Sequence, residues 1–453
     1  MEDVQLQLAA LRRRIAQIDR KYAGTPAAPR PTPRPKRHVI EDLLSGEVVH
    51  TAYGAHFETE RAWERHRRYG SVDISDLAGL PGDLLNPLSG GEIPDSPPAK
   101  WAFLDTETTG LAAGSCAFLI GVGSIDSSGF RLRQFFLRDY ADEPSLLARL
   151  SEHLAQFDVL ITYNGKSFDQ PLLEGRYRLA RIPHPFARMA HLDLLFGARR
   201  LWKLRLDSCR LVDLENQILG VEREGDLPGE MIPYCYLEFL RTRQAFELVP
   251  IFHHNALDIL SLACLTAIVP FAFLSPDGAL VRHGADLIGV ARWLLDAGRR
   301  EESLALFRRA VDKGLPDHLL FRTLWDIAAL ERRSGRADAS LAILTDLAAT
   351  RNPYRARALA ELAKHYEHNE RSYSMALEMT RAALALEDSV ELRRREERLK
   401  LKLAKSGADP LVRAGPPGPA LRPAKSATRK PRKADRGVGR GPGSGPGGPP
   451  NKR

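Results

Sequence analysis

Cysteine is scarce in this chain. Its 453 residues include four, Cys116, Cys209, Cys235 and Cys264, scattered and without a Cys-x-x-Cys spacing. That excludes a disulfide framework and a zinc knuckle, and points to a reducing cytoplasm. The start, Met1-Glu2-Asp3-Val4, lacks the charged, then apolar, then small-residue order of a secretory signal. No uninterrupted apolar stretch reaches membrane-spanning length, so no membrane partner is expected. What remains is an ordinary soluble composition with 43% apolar residues, long enough for two or three domains.

The formal net charge of +9 is unevenly placed. Residues 406–453 hold eleven basic and two acidic residues, and residues 1–38 hold nine basic and three acidic. The two ends are therefore basic, and the body between them is slightly acidic. Residues 406–453 are rich in Gly, Pro, Arg and Lys with almost no large apolar side chain, a composition that cannot bury a core and predicts disorder. The run Arg429-Lys430-Pro431-Arg432-Lys433 attracts phosphates without reading sequence, or merely solubilises.

Residues 1–23 predict a helix, with Val4, Leu8, Leu11, Ile15 and Ile18 spaced as in a short coiled coil. This face either mediates a homodimer or docks on its own protein. Residues 24–37 are a Pro- and Arg-rich linker. Residues 38–99 read as a cap or lead-in, with a strand-like Val48-Val49-His50-Thr51 and a charged, helix-like stretch near 60–66. From 100 to 275 strands and helices alternate: strands at 101–105, 117–125, 131–136 and 159–163, helices at 144–156, 168–180, 208–219 and 250–273. Such a pattern predicts an α/β fold, a mixed sheet with helices on its faces. From 282 to 405 the chain turns wholly helical and self-similar. Leu304, Leu341 and Leu377 mark three copies of one helix, 37 and 36 residues apart. The period resembles that of tetratricopeptide (TPR) repeats. These helices either bind a protein partner or simply cover the preceding domain.

Three segments carry the candidate chemistry. The apolar run Trp101-Ala102-Phe103-Leu104 ends in Asp105-Thr106-Glu107-Thr108-Thr109-Gly110. On a strand, Asp105 and Glu107 leave the backbone on the same side, a costly arrangement unless a cation lies between them. A second apolar strand ends in Tyr163-Asn164, followed by a Gly165-Lys166-Ser167 turn and a helix that opens at Phe168-Asp169. Asp169 then stands in the first turn, where the helix dipole favours an anion. Lys166 is either a solvated loop lysine or a phosphate contact. In His253-His254-Asn255-Ala256-Leu257-Asp258, His254 and Asp258 are i and i+4 on one face of a buried helix. Together these segments supply four carboxylates and an imidazole, a set of hard donors suited to two divalent cations, Mg²⁺ or Mn²⁺.

Asp-x-Glu-Thr-Thr-Gly, Asn-x-x-x-Phe-Asp and His-x-x-x-Asp, in that order, resemble the DEDD exonuclease group of the ribonuclease H-like superfamily. The bacterial branch with a C-terminal tetratricopeptide-like extension is the nearest resemblance. It implies that Asp105, Glu107, Asp169 and Asp258 are metal ligands. It implies His254 as the general base, although His253 fits the His-x-x-x-x-Asp spacing of a sister subgroup. It places Thr108, Thr109 and Gly110 near a 3′-terminal nucleotide and Asn164 beside the scissile end. His191-Leu192-Asp193-Leu194 also resembles the branch but receives no chemistry. The expected activity is metal-dependent hydrolysis of DNA or RNA, as a 3′→5′ exonuclease. Alternatives are a structure-specific endonuclease and a nucleic-acid-binding adaptor with a non-hydrolytic nuclease-like domain.

Overall fold

A computed structural model describes residues 9, 12–14, 16–17, 38–110, 114–276 and 281–406. Residues 9, 12–14 and 16–17 are helical, but the apolar positions expected to self-associate lie outside the described residues, as do the linker at 24–37 and the basic tail beyond 406.

One seven-stranded sheet organises the first half of the molecule. Its strands are β1 (Gly46–Thr51), β2 (Gly54–Glu64), β3 (Trp101–Thr108), β4 (Ala117–Asp126), β5 (Gly129–Phe136), β6 (Val159–Thr162) and β7 (Ala190–Asp193). They lie in the order β1-β2-β5-β4-β3-β6-β7. β1, β2, β5, β4 and β3 pair antiparallel, and β6 and β7 continue in parallel from β3. The continuous apolar run of β3 is explained by burial on both faces. Trp101 and Phe103 join one core with α3 (Leu194–Trp202), α5 (Val249–Thr266) and α6 (Val269–Leu274). Ala102 and Leu104 join the other core with α1 (Glu143–Leu154), α2 (Asp169–Ala180) and α4 (Ile232–Thr242). Strand alternation therefore puts Asp105 and Glu107 on the side of Trp101 and Phe103, facing α5.

Three expectations are corrected. The charged stretch near 60–66 is not helical; it is the end of β2. Its charges are cross-strand partners, since Glu60 binds Arg131 at 3.0 Å and Arg133 at 2.9 Å across the β2–β5 ladder. The helix expected at 208–219 begins only at Leu211, and after one turn widens into a π-helical turn, Glu215–Leu219. The helix expected at 250–273 breaks between Thr266 and Val269, just before Pro270, which lacks an N–H and disfavours helical geometry ahead of it. In addition, the helical stretch Phe246–Leu274 is long and apolar enough to cross a membrane by length and composition, although Glu247, His253, His254, Asn255 and Asp258 interrupt its apolar run. Here it is the core helix of the sheet domain, and most of it is buried.

The second half is an array of helices: α7 (Gly284–Asp296), α8 (Arg300–Asp312), α9 (Asp317–Arg333), α10 (Ala337–Ala349), α11 (Arg355–His368), α12 (Tyr373–Leu384) and α13 (Val390–Ser406). The three similar segments seen in the sequence are α8, α10 and α12. The array is joined to the sheet domain by one core, which runs from Phe103 to Phe307. Gly289 lets α7 approach α3: a methyl group there would meet the Arg200 carbonyl at 2.3 Å. Arg205 binds Asp286 at 2.9 Å across the same junction.

Glu331 and Glu367 occupy equivalent places at the ends of α9 and α11, and both are buried. Glu331 pairs with Arg308 and Arg336. Glu367 binds Arg395 at 2.7 Å, Arg398 at 2.9 Å and Lys402 at 2.9 Å, fastening α13. Burial opposes its charge, but Arg398 and Lys402 outweigh that and hold its pKa down to about 2. A depressed carboxyl contributes stability above its unfolded pKa, and loses it as pH falls through the folded value. Glu367→Gln is therefore expected to lower stability at neutral pH by about 1–3 kcal/mol. The difference from wild type should shrink between about pH 4.5 and 2, which urea unfolding followed at several pH values would register.

Candidate metal centre

The centre forms where β3 and β6 end and α5 crosses them. Asp105 and Glu107 come from β3, and Asp169 from the first turn of α2. α5 brings His254 and Asp258. Ligand atoms of Glu107, His254 and Asp258 lie within 4.8 Å of one another. Asp105 feels the charges of Asp258, Glu107 and Asp169. The structure thus brings all four carboxylates and His254 together.

These acids are not comfortable as anions. Burial, then repulsion from Asp258, Glu107 and Asp169, pushes the Asp105 carboxyl well up. Burial is also the main cause at Glu107, raised to about 8, and at Asp169, raised to about 6. Thr106 Oγ1 donates to Asp169 at 2.5 Å and partly offsets this. Among the described residues no group donates a hydrogen bond to Glu107. A cluster of hard oxygen donors that repel one another and lack enough protein cations fits divalent Mg²⁺ or Mn²⁺. Asp105, Glu107, Asp169 and Asp258 are the side chains that would hold such ions.

The two histidines part ways. His253 faces outward, 3.3 Å from Arg61. His254 turns in: Nδ1 lies 2.8 Å from Asp226 and Nε2 3.6 Å from Asp258. Burial opposes the imidazolium, but Asp258, Glu107 and Asp226 outweigh it and raise the His254 pKa. Contact with Asp226 favours a proton on Nδ1, and Nε2 faces the Asp258 carboxylate.

The other candidates divide. Thr108, Gly110 and Asn164 line an open cleft of about 760 Å³ together with Asp105 and Asp169. Thr109 does not line it; its hydroxyl accepts the Cys116 N–H at 3.0 Å and closes the β3–β4 loop. Asn164 has φ 67°, a left-handed conformation that asparagine tolerates. Its N–H donates to Asp193 at 2.8 Å, and the Lys166 N–H donates to the same carboxylate at 3.2 Å. Asp193 also caps α3 through the Leu195 N–H. The segment left without chemistry is thus the clamp that shapes the Asn164 turn.

Sequence reasoning missed four supports. Asn255 donates to Asp105 Oδ2 at 2.9 Å, and its own Oδ1 accepts from Gln134 at 2.9 Å. Its place between His254 and Asp258, three residues before the latter and so on the same helical face, was the available signal. Gln134 itself carried none. Arg223 binds Asp258 and the buried Glu215, and reaches Asp226 at 3.1 Å. Arg223 and Asp226 come from an irregular loop whose sequence carries no periodicity, so nothing singled them out.

Residues 102–269 match the RNase_H superfamily, a span that contains every acid of the centre. Over 310 residues the chain is 31% identical to the uncharacterized protein YprB of Bacillus subtilis (strain 168), covering 67% of this chain and 73% of that one. The chain belongs to the RNase_H superfamily.

Proposed function

We propose that this protein is a metal-dependent nuclease that hydrolyses phosphodiester bonds of DNA or RNA from a 3′ end. Convergence of four carboxylates and one oriented histidine from three distant segments carries this reading. Two divalent cations bound there would supply the charge that an in-line phosphodiester displacement needs. Asp105, Glu107, Asp169 and Asp258 would hold them. His254 takes the proton of the attacking water at Nε2, and Asp226 steadies the resulting imidazolium through Nδ1. Arg223 fixes Asp258 in place. Thr108 and Asn164 border the cleft in which the terminal nucleotide lies. All four cysteines are free thiols, which suits a cytoplasmic protein.

His254→Ala is expected to lower kcat by about 10²–10⁴, the usual contribution of one positioned base, while His253→Ala stays within a few-fold of wild type. Single-turnover degradation of an end-labelled strand distinguishes the two; equal losses would remove His254 from this role. Supplying linear and closed-circular single strands tests the mode of attack. The linear strand should shorten from its 3′ end and the circle should survive. Rapid cutting of the circle would make the enzyme an endonuclease. No hydrolysis with Mg²⁺ or Mn²⁺ would leave a binding-only adaptor.

A further inference from the structure

The turn at residues 163–167 borders two clefts. One is lined by two of the four carboxylates, Asp105 and Asp169; the other, of about 460 Å³, is lined by Lys166, Phe196, Arg199 and Arg200 with Glu92 and Asp193. Phe196, Arg199 and Arg200 are i, i+3 and i+4 on α3, so they share one face. Phe196 is 52% exposed, an apolar ring held out in water in a cleft that Lys166 and Arg199 also line.

The charges of this cleft do not cancel. Asp193 is engaged by three backbone N–H groups, of Asn164, Lys166 and Leu195. His191 is neutral, since burial, and then Lys166, lowers its pKa to about 4. Arg200 is held by Asp296 at 3.0 Å and lies over the Trp293 ring. Lys166 and Arg199 have no ion-pair partner among the described residues, and Glu92 is the single acid left to oppose them. An exposed aromatic ring in one cleft with unpaired cations is the arrangement that single-stranded nucleic acids use: bases stack on the ring and phosphates meet the cations.

We propose that this second cleft holds the part of a single strand that lies outside the carboxylate centre. Phe196 stacks one base, and Arg199 and Lys166 contact the phosphates beside it. The proposal rests on the nuclease reading and extends it. Substrate length then matters: a strand that reaches both clefts binds better than one that fills the first alone.

The test uses full-length protein, with Phe196→Ala and Arg199→Gln as separate variants. Both side chains are exposed, and unchanged melting temperatures confirm folding. Anisotropy of labelled 15-mer oligothymidylate and oligouridylate, recorded without divalent metal, reads binding apart from chemistry. Each variant should raise Kd roughly tenfold for at least one 15-mer. Arg199→Gln should also flatten the slope of log Kd against log salt by about 0.7, the loss of one phosphate contact to a single strand. With metal, KM for the 15-mer should rise while kcat holds, and a trimer should be hydrolysed as by wild type. Wild-type Kd and salt slope in both variants would overturn the proposal, including the case in which the cleft instead takes an acidic peptide. A wild-type protein that hydrolyses nothing would count against the nuclease reading, while the metal-free binding data would still decide the cleft.

Discussion

Asp105→Asn is expected to abolish hydrolysis of a labelled single strand while the protein stays folded. Asparagine keeps the shape and can still accept the hydrogen bond from Asn255 Nδ2. What it removes is the charge at the middle of the cluster. Metal ions contribute several kcal/mol of transition-state stabilisation, so the rate should fall by roughly 10³-fold or more. Stability should move the other way. An acid whose pKa is raised on folding, as that of Asp105 is by burial and then by Asp258, Glu107 and Asp169, costs stability above its unfolded pKa. Without metal the variant should therefore melt at or above the wild-type temperature near pH 7. Manganese should raise the melting temperature of wild type, since binding to the folded state stabilises it, and do little for the variant. Thermal melts with and without manganese, beside the hydrolysis assay, check both halves; an active Asp105→Asn protein would rule out the assignment.

Gly121→Ala is expected to be nearly as damaging, though Gly121 touches no substrate. Gly121 on β4 pairs with Asp105 on β3. A methyl group there would lie 2.3 Å from Asn255 Oδ1 and 2.2 Å from Ile259 Cδ1. Ile259 ends in a flexible arm, but Asn255 is pinned by Gln134 on one side and Asp105 on the other. Either that bridge breaks or α5 lifts, carrying His254 and Asp258 away from β3. Displacement of reacting groups by about 1 Å can cost 10²-fold in rate. Overpacking of this kind also costs about 1–3 kcal/mol in stability. Kinetics and urea unfolding of the same preparation measure both; a variant as active as wild type would show that the Gly121–Asn255 contact does not set the geometry of the centre.

Much of this arrangement was legible in the sequence where physics acts locally. The apolar runs of β3, β4 and β6 are buried on both faces, so composition alone marks them as strands. Asp105 and Glu107 follow from period two, and His254 and Asp258 from the helical repeat. The similar helices α8, α10 and α12 are visible because each buries the same face. Legibility failed where distant partners decide the outcome. The charges at the end of β2 look like a solvated helix until Arg131 and Arg133 stand across from Glu60. The wide turn at Glu215–Leu219 carries a buried carboxylate whose counter-ion, Arg223, lies in a loop. Asn255 was hidden between two residues with louder chemistry, and its role depends on Gly121, a residue with no side chain to notice.

Manganese soaked into crystals of the protein, followed by anomalous diffraction, interrogates the centre most directly. Two peaks about 3.5–4 Å apart, ringed by Asp105, Glu107, Asp169 and Asp258, are the expected result. Featureless anomalous maps at that place, with the four carboxylates turned away from one another, would contradict it.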